Sequence, residues 1–167
     1  MMEIKVIVGD ITRMETDAII VNSFEGMERL NGEVATVDKA LDGAISQLIS
    51  HGEIKGKLGE ITVIHTLGKL PAARVAVAGL GKQQELSQDK VRRAVAETCR
   101  LLQRRDVDNI ATMAQGARVG SITLESAAQA VTEGALLGVY SFRRHITKEA
   151  EYGEIKQLVI VGSDQAE

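Results

Sequence analysis

A single cysteine, a single proline, no tryptophan and only two tyrosines and two phenylalanines occur in this 167-residue chain. One cysteine forbids an internal disulfide and any cysteine-rich zinc site, and it fits a reducing, cytoplasmic setting. With 2% aromatic residues the chain has little from which to build a stacking platform for single-stranded nucleic acid. Charge of one sign is missing too. The balance of 20 basic and 23 acidic residues leaves a net charge of −3, with no global pull toward nucleic acid or anionic lipid. No apolar run approaches the length of a membrane span, and Glu3 and Lys5 put charge where a signal peptide would not carry it. The expected partners therefore include neither nucleic acid nor membrane.

What is present is apolar residues, 44% of the chain, enough for one compact domain with a real core. Glu3 to Val8 and Asp17 to Val21 read as strands, the second so uniformly apolar that both its faces should be covered. Ser23 to Glu33 reads as a loop. Val34, Val37, Leu41, Ile45 and Leu48 then recur at helical spacing, predicting one helix that ends near Gly52. Glu60 to Thr66 and Arg74 to Ala78 are strands joined by a link too short for a crossover, so they should pair antiparallel; Pro71 lies in that link. Ser87 should cap a helix buried along Val91, Val95, Cys99 and Leu102, with Arg92, Arg93, Arg100 and Arg104 facing outward. Asn109 to Ala114 is a strand. Thr123 should cap a helix with the stripe Ala128, Val131, Ala135, Val139 and Phe142, in which Gly134 and Gly138 permit close packing. Gln157 to Val161 is the last strand. The order β-β-α-β-β-α-β-α-β predicts an α/β fold, a mixed sheet with helices on both faces.

Ligands of open α/β sheets lie beyond the C-terminal ends of parallel strands. Three segments are candidates to meet there: Gly9-Asp10-Ile11, Asn22 to Gly26, and Gln115 to Ser121 just ahead of the Thr123 helix. A carboxylate such as Asp10 accepts a hydrogen bond from an adenine amine, and glycines such as Gly116 and Gly120 let backbone amides approach phosphate. The plainer readings stand beside these. Asp10 terminates a strand and Asn22 makes a turn. The two-glycine loop lacks a Walker-type lysine and hydroxyl pair. Gly79-Leu80-Gly81-Lys82 is a simple turn, and the arginine pairs 92–93, 104–105 and 143–144 are solvated faces or a contact surface. His51, His65 and His145 are far apart and match no zinc spacing. Cys99 shares a helical stripe with valines and a leucine, which makes it a buried thiol rather than a nucleophile. No complete catalytic set is found.

Two family resemblances follow. GDITRMETDAIIVN resembles the opening of a macro domain, the ADP-ribose-binding α/β/α module, with Asp10 and Ile11 at the adenine-contacting pair and Asn22 near its first asparagine. The pattern departs at Ser23-Phe24-Glu25-Gly26, where that family continues with alanines, a second asparagine and a glycine run. Over nearly the whole chain, the segments DAIIVNSFEG, VDKALDGAISQLI, IKGKLGEI, LPAARVAVAGLGK and EGALLGVYSFRRH resemble, in order, the N-terminal domain of the leucyl (cytosol) aminopeptidase family. That resemblance implies a three-layer α/β/α, macro-domain-like fold with a mixed, mostly parallel central sheet. It implies a single domain over 1–162 and, from 163 to 167, the start of a linker to a C-terminal catalytic domain. It further implies no catalytic residue and no metal in this stretch; two divalent ions, Mn or Zn, in the catalytic half; and a hexamer in which this domain serves assembly or regulation. The alternative is a free-standing module for ADP-ribose or a related nucleotide, bound by Asp10, Ile11, Asn22, Gly116 and Gly120.

Overall fold

In the computed structural model the strands are β1 (Glu3–Val8), β2 (Ala18–Ser23), β3 (Ile61–His65), β4 (Arg74–Gly79), β5 (Asn109–Met113) and β6 (Gln157–Gly162), and the helices α1 (Gly32–Ala40), α2 (Ala44–Ser50), α3 (Gln88–Arg104) and α4 (Leu124–His145). The structure describes residues 2–117, 119–145 and 155–162, with the side chains of 140–145 outside that description. The expected stripe residue Phe142, the arginines 143–144, His145 and the linker 163–167 thus lie outside what is described.

The alternation of β2 sets the layers. All six of its residues are buried. Ala18 and Ile20 pack with Val91, Val95 and Leu102 of α3 and Ala127, Val131 and Ala135 of α4. Ile19 and Val21 pack with Val34 and Val37 of α1 and Ile45 of α2. Opposite faces of one strand thus meet opposite helical layers, as a period of two requires. The sheet order is β1-β6-β5-β2-β4-β3, parallel throughout except for β3, which runs antiparallel to β4 from Ile61↔Ala78 to His65↔Arg74. This is the mixed sheet with helices on both faces that the element order predicts, and the mostly parallel, three-layer form that the family resemblance implies.

One expected helix is two. The stripe from Val34 to Leu48 is interrupted because Asp42 (φ 57°) and Gly43 (φ 81°) turn left-handed. Gly43 stands at the N-cap of α2 without a side chain to offer. Asp38, eight residues upstream, takes over: its carboxylate accepts from the Ser46 amide at 3.0 Å and the Ser46 hydroxyl at 2.5 Å. Periodicity missed this break because two short helices in near register show the same apolar spacing as one long helix. Replacing Asp38 with alanine should lower stability by about 1 kcal/mol, the usual loss for an N-cap, measured as a shift in the urea midpoint with unchanged slope.

Other expected caps form as read. The Ser87 hydroxyl accepts from the Lys90 amide at 3.2 Å. Thr123 and Ser126 cap α4 reciprocally, each hydroxyl accepting from the other's amide at 3.1 Å. Cys99 is fully buried, and burial pushes its thiol up to about 12, so it stays protonated and inert. The arginine face needs correction. Arg92 is half-buried between helices, bonded to Asp89 and to Glu133 of α4, each at 3.1 Å. The Arg100 Nε is buried with no hydrogen-bond partner among the described residues.

Candidate functional site

Five parallel strands end on one edge of the sheet. From β2 the chain leaves through α1 and α2 toward β3 and β4; from β5 it leaves through α4 toward β6, on the other side. The neighbours β2 and β5 therefore flank the topological switch point, where such sheets open a crevice. The turn after β5 begins there with Gln115, which is fully buried. Its Nε2 donates to the Ile20 carbonyl of β2 and to the Thr112 hydroxyl of β5, both at 3.3 Å. Its Oε1 has no hydrogen-bond partner among the described residues. The crevice is thus bridged by an amide side chain.

The predicted site residues separate into two groups. Asp10 follows β1, at the outer edge of the sheet. Its carboxylate accepts from the Thr12 hydroxyl at 2.6 Å and the Thr12 amide at 2.9 Å, capping a single 3-10 turn, Ile11–Arg13. The Thr12 hydroxyl first, and then its amide, hold the Asp10 carboxyl below the usual carboxylate range. Ile11 is buried in the core with Val34, Val37 and Val161. β1 stands three strand positions from β2, about 14 Å at 4.8 Å per strand. Asn22, Gly116 and Gly120 belong to the switch-point side. Asn22 lies within β2, opposite Ala78 of β4, and is buried. Gly116 follows Gln115 at φ 80°, where a Cβ would stand 3.0 Å from both Leu86 and Val91 side chains. Gly120, with Ser121, lines a cavity of about 730 Å³ whose opposite wall is Phe24 to Arg29. Asp10 and Ile11 do not line that cavity.

Beside it three of the sequence motifs meet. The Leu80 amide donates to the Ser23 carbonyl at 2.9 Å, the Glu25 amide to Gly81 at 2.9 Å, and the Gly81 amide to Gly56 at 2.9 Å. The Glu60 carboxylate accepts from the backbone amides of Lys55 and Gly56, the shorter bond to each being 2.9 Å. Phe24-Glu25-Gly26, Lys55 to Glu60 and Gly79 to Lys82 are therefore one backbone knot at the mouth of β2 and β4. Gly79 ends β4 and Leu80 to Lys82 form an irregular link rather than the expected turn, and the partners of this stretch explain why glycine is needed. The sequence places Gln115 in a candidate loop and Glu60 in a family-like segment, but neither side chain's role is legible there, because hydrogen bonds from a side chain to backbone leave no periodic signal.

A second cavity, of about 570 Å³, lies between Phe24–Glu28, α2 and Ile54-Lys55. His65 is exposed at the end of edge strand β3, and His51 is exposed after α2. Among the described residues no three histidine, cysteine or acidic side chains stand together as a metal site.

Residues 20–149 match the model for the cytosol aminopeptidase family, N-terminal domain. The chain is similar to a probable cytosol aminopeptidase of Alkaliphilus oremlandii, 34% identical over 99% of this chain and 33% of that protein. It is similar also to one of Persephonella marina, 35% identical over 95% of this chain and 32% of that protein. The chain spans about a third of the length of these curated relatives. Among solved structures, a tomato leucine aminopeptidase mutant superposes with TM-score 0.75 at 18% identity, covering 97% of this chain and 32% of that one. A Trypanosoma brucei macrodomain in complex with ADP-ribose superposes with TM-score 0.74 at 14% identity, covering 96% and 63%. These two likenesses concern the fold alone.

Proposed function

The chain belongs to the cytosol aminopeptidase family as its N-terminal domain, and from that premise we propose that it is the non-catalytic partner of a C-terminal catalytic domain in a cytoplasmic, metal-dependent aminopeptidase. Its role is to help assemble the hexamer and to shape access to active sites that remove N-terminal residues from peptides. The observation that carries this reading is the bare edge of the sheet. Among the described residues β1 pairs with β6 alone, and Val6 and Val8 are 65% and 68% exposed, so the described structure leaves this edge and its apolar side chains uncovered. Leu136 and Leu137 of α4 are about half exposed as well. Such an edge suits burial by another domain.

The reaction itself needs two divalent ions, Mn or Zn, acting as Lewis acids on the peptide carbonyl and its attacking water. The described residues do not assemble the donors for them, so no step of hydrolysis is derived from this chain. The test is the double substitution Val6→Lys and Val8→Lys in the protein joined to its catalytic half. Sedimentation should show smaller assemblies, while the melting temperature of the 167-residue chain alone stays within about 2 °C, because both side chains are already in water. Unchanged assembly and turnover would refute the docking role of this edge.

The alternative module for ADP-ribose draws on the cavity between Gly120-Ser121 and Phe24–Arg29. Its weakness is geometric, since Asp10 does not line that cavity and one of its carboxylate oxygens is held by Thr12. Calorimetric titration with ADP-ribose separates the readings: micromolar binding abolished by Asp10→Ala would favour the module.

A further inference from the structure

The 570 Å³ cavity shares Phe24, Gly26, Met27 and Glu28 with the larger cavity but faces α2 and Ile54-Lys55 instead of Gly120-Ser121. It opens on the α1–α2 side of the sheet, with Phe24, Met27, Ile49 and Ile54 as its apolar wall. The geometry points to a binding site here for a short zwitterionic peptide, two or three residues long with apolar side chains.

Three features select that chemistry. The first is Ser23, 1% exposed, whose hydroxyl has no hydrogen-bond partner among the described residues. Ser23 shares a β2 face with Ile19 and Val21, the face that packs on α1 and α2, so its side chain is directed to the cavity it lines. A buried, unsatisfied hydroxyl is costly, and a ligand carbonyl at that point relieves it. The second is charge of both signs at the rim. Lys55 and Glu28 are exposed, and neither side chain has a partner among the described residues. The third is the state of the other hydroxyls. Ser46 donates to Asp38 at 2.5 Å and Ser50 donates to the Gln47 carbonyl at 3.0 Å, so both offer a ligand only lone pairs. Side-chain donors are then Ser23 and Lys55; side-chain acceptors are Glu28 and the two serines. A simple anion meets the Glu28 charge, and a nucleotide brings several negative charges to one lysine. A zwitterion with an apolar body meets every group with its complement. The volume falls within the range of ordinary ligand sites, about 300–1,000 Å³.

The inference stands apart from the aminopeptidase reading, because its test measures binding and not turnover. The experiment is a titration of the isotope-labelled 167-residue chain with L-leucyl-L-leucine, followed by amide resonances. Saturable shifts should concentrate at Ser23–Glu28 and Ile49–Lys55. Lys55→Met should raise the dissociation constant about tenfold, the loss of one charge-assisted bond. The Lys55 side chain is exposed and bonds nothing else described, so this variant keeps its fold. The N-acetylated, C-amidated dipeptide, which lacks both charges, should bind about a hundredfold more weakly, roughly one factor of ten for each lost pair. No saturable shift up to about 10 mM, shifts centred elsewhere, or equal affinity in Lys55→Met would overturn the proposal.

Discussion

Gly79→Ala should destabilise the domain by roughly 3 kcal/mol, lowering the melting temperature by about 6–12 °C for a chain of this size. A Cβ at residue 79 would sit far inside van der Waals contact of the Lys57 carbonyl oxygen and 2.9 Å from the Gly56 carbonyl carbon. Neither backbone is free to yield. The Gly79 amide donates to the Glu60 carbonyl at 2.8 Å, and the Gly79 carbonyl accepts from the Gly59 amide at 3.3 Å. On its other side Gly79 is in register with Ser23 of β2. Opening the contact means breaking ladder bonds or parting β4 from the Lys55–Glu60 segment. Gly9→Ala is the matched control: nothing lies within 4 Å of its Cβ position, and its φ is not left-handed, so a change within about 0.5 kcal/mol is expected. Thermal melts of the two variants beside the parent check the contrast.

The second large effect is at the helix pair. Gly134 and Gly138 of α4 lie one turn apart and rest on the Arg92 and Ala96 carbonyls of α3, where an added Cβ would overlap each oxygen. Gly134→Ala carries opposite expectations in two settings. In an isolated α4 peptide, alanine favours helix by about 1 kcal/mol over glycine. In the folded chain it should cost about 2 kcal/mol or more, because the helices must separate and loosen the packing of Val91, Val95 and Leu102 against Ala127, Val131 and Ala135. Circular dichroism of the peptide and denaturant unfolding of the chain should therefore move in opposite directions.

Much of this fold was legible. Strand β2 announces itself by an unbroken apolar run, and Ser87 and Thr123 announce their helices by capping chemistry. The antiparallel hairpin follows from the length of one link. Gly134 and Gly138 are visible as small residues at spacing four. The site was less legible. Asp10 and Asn22 look like a pair when the strands are read in chain order, yet the sheet inserts β6 and β5 between β1 and β2. Strand order is decided by which helical crossovers cover which face, and no local pattern records it. The break at Asp42-Gly43 was hidden because its remedy, Asp38 reaching Ser46, spans eight residues. The converging motifs Phe24-Glu25-Gly26, Lys55 to Glu60 and Gly79 to Lys82 were each visible alone. Their common purpose is a set of backbone contacts that only the folded chain displays.

We propose that this domain supports peptide hydrolysis without performing it. The direct measurement is release of p-nitroaniline from L-leucine p-nitroanilide, with Mn or Zn ions supplied, by the 167-residue chain alone and by the protein joined to its catalytic half. Turnover is expected only from the joined protein. Metal-dependent turnover by the isolated chain, abolished by a substitution within residues 2–162, would contradict it.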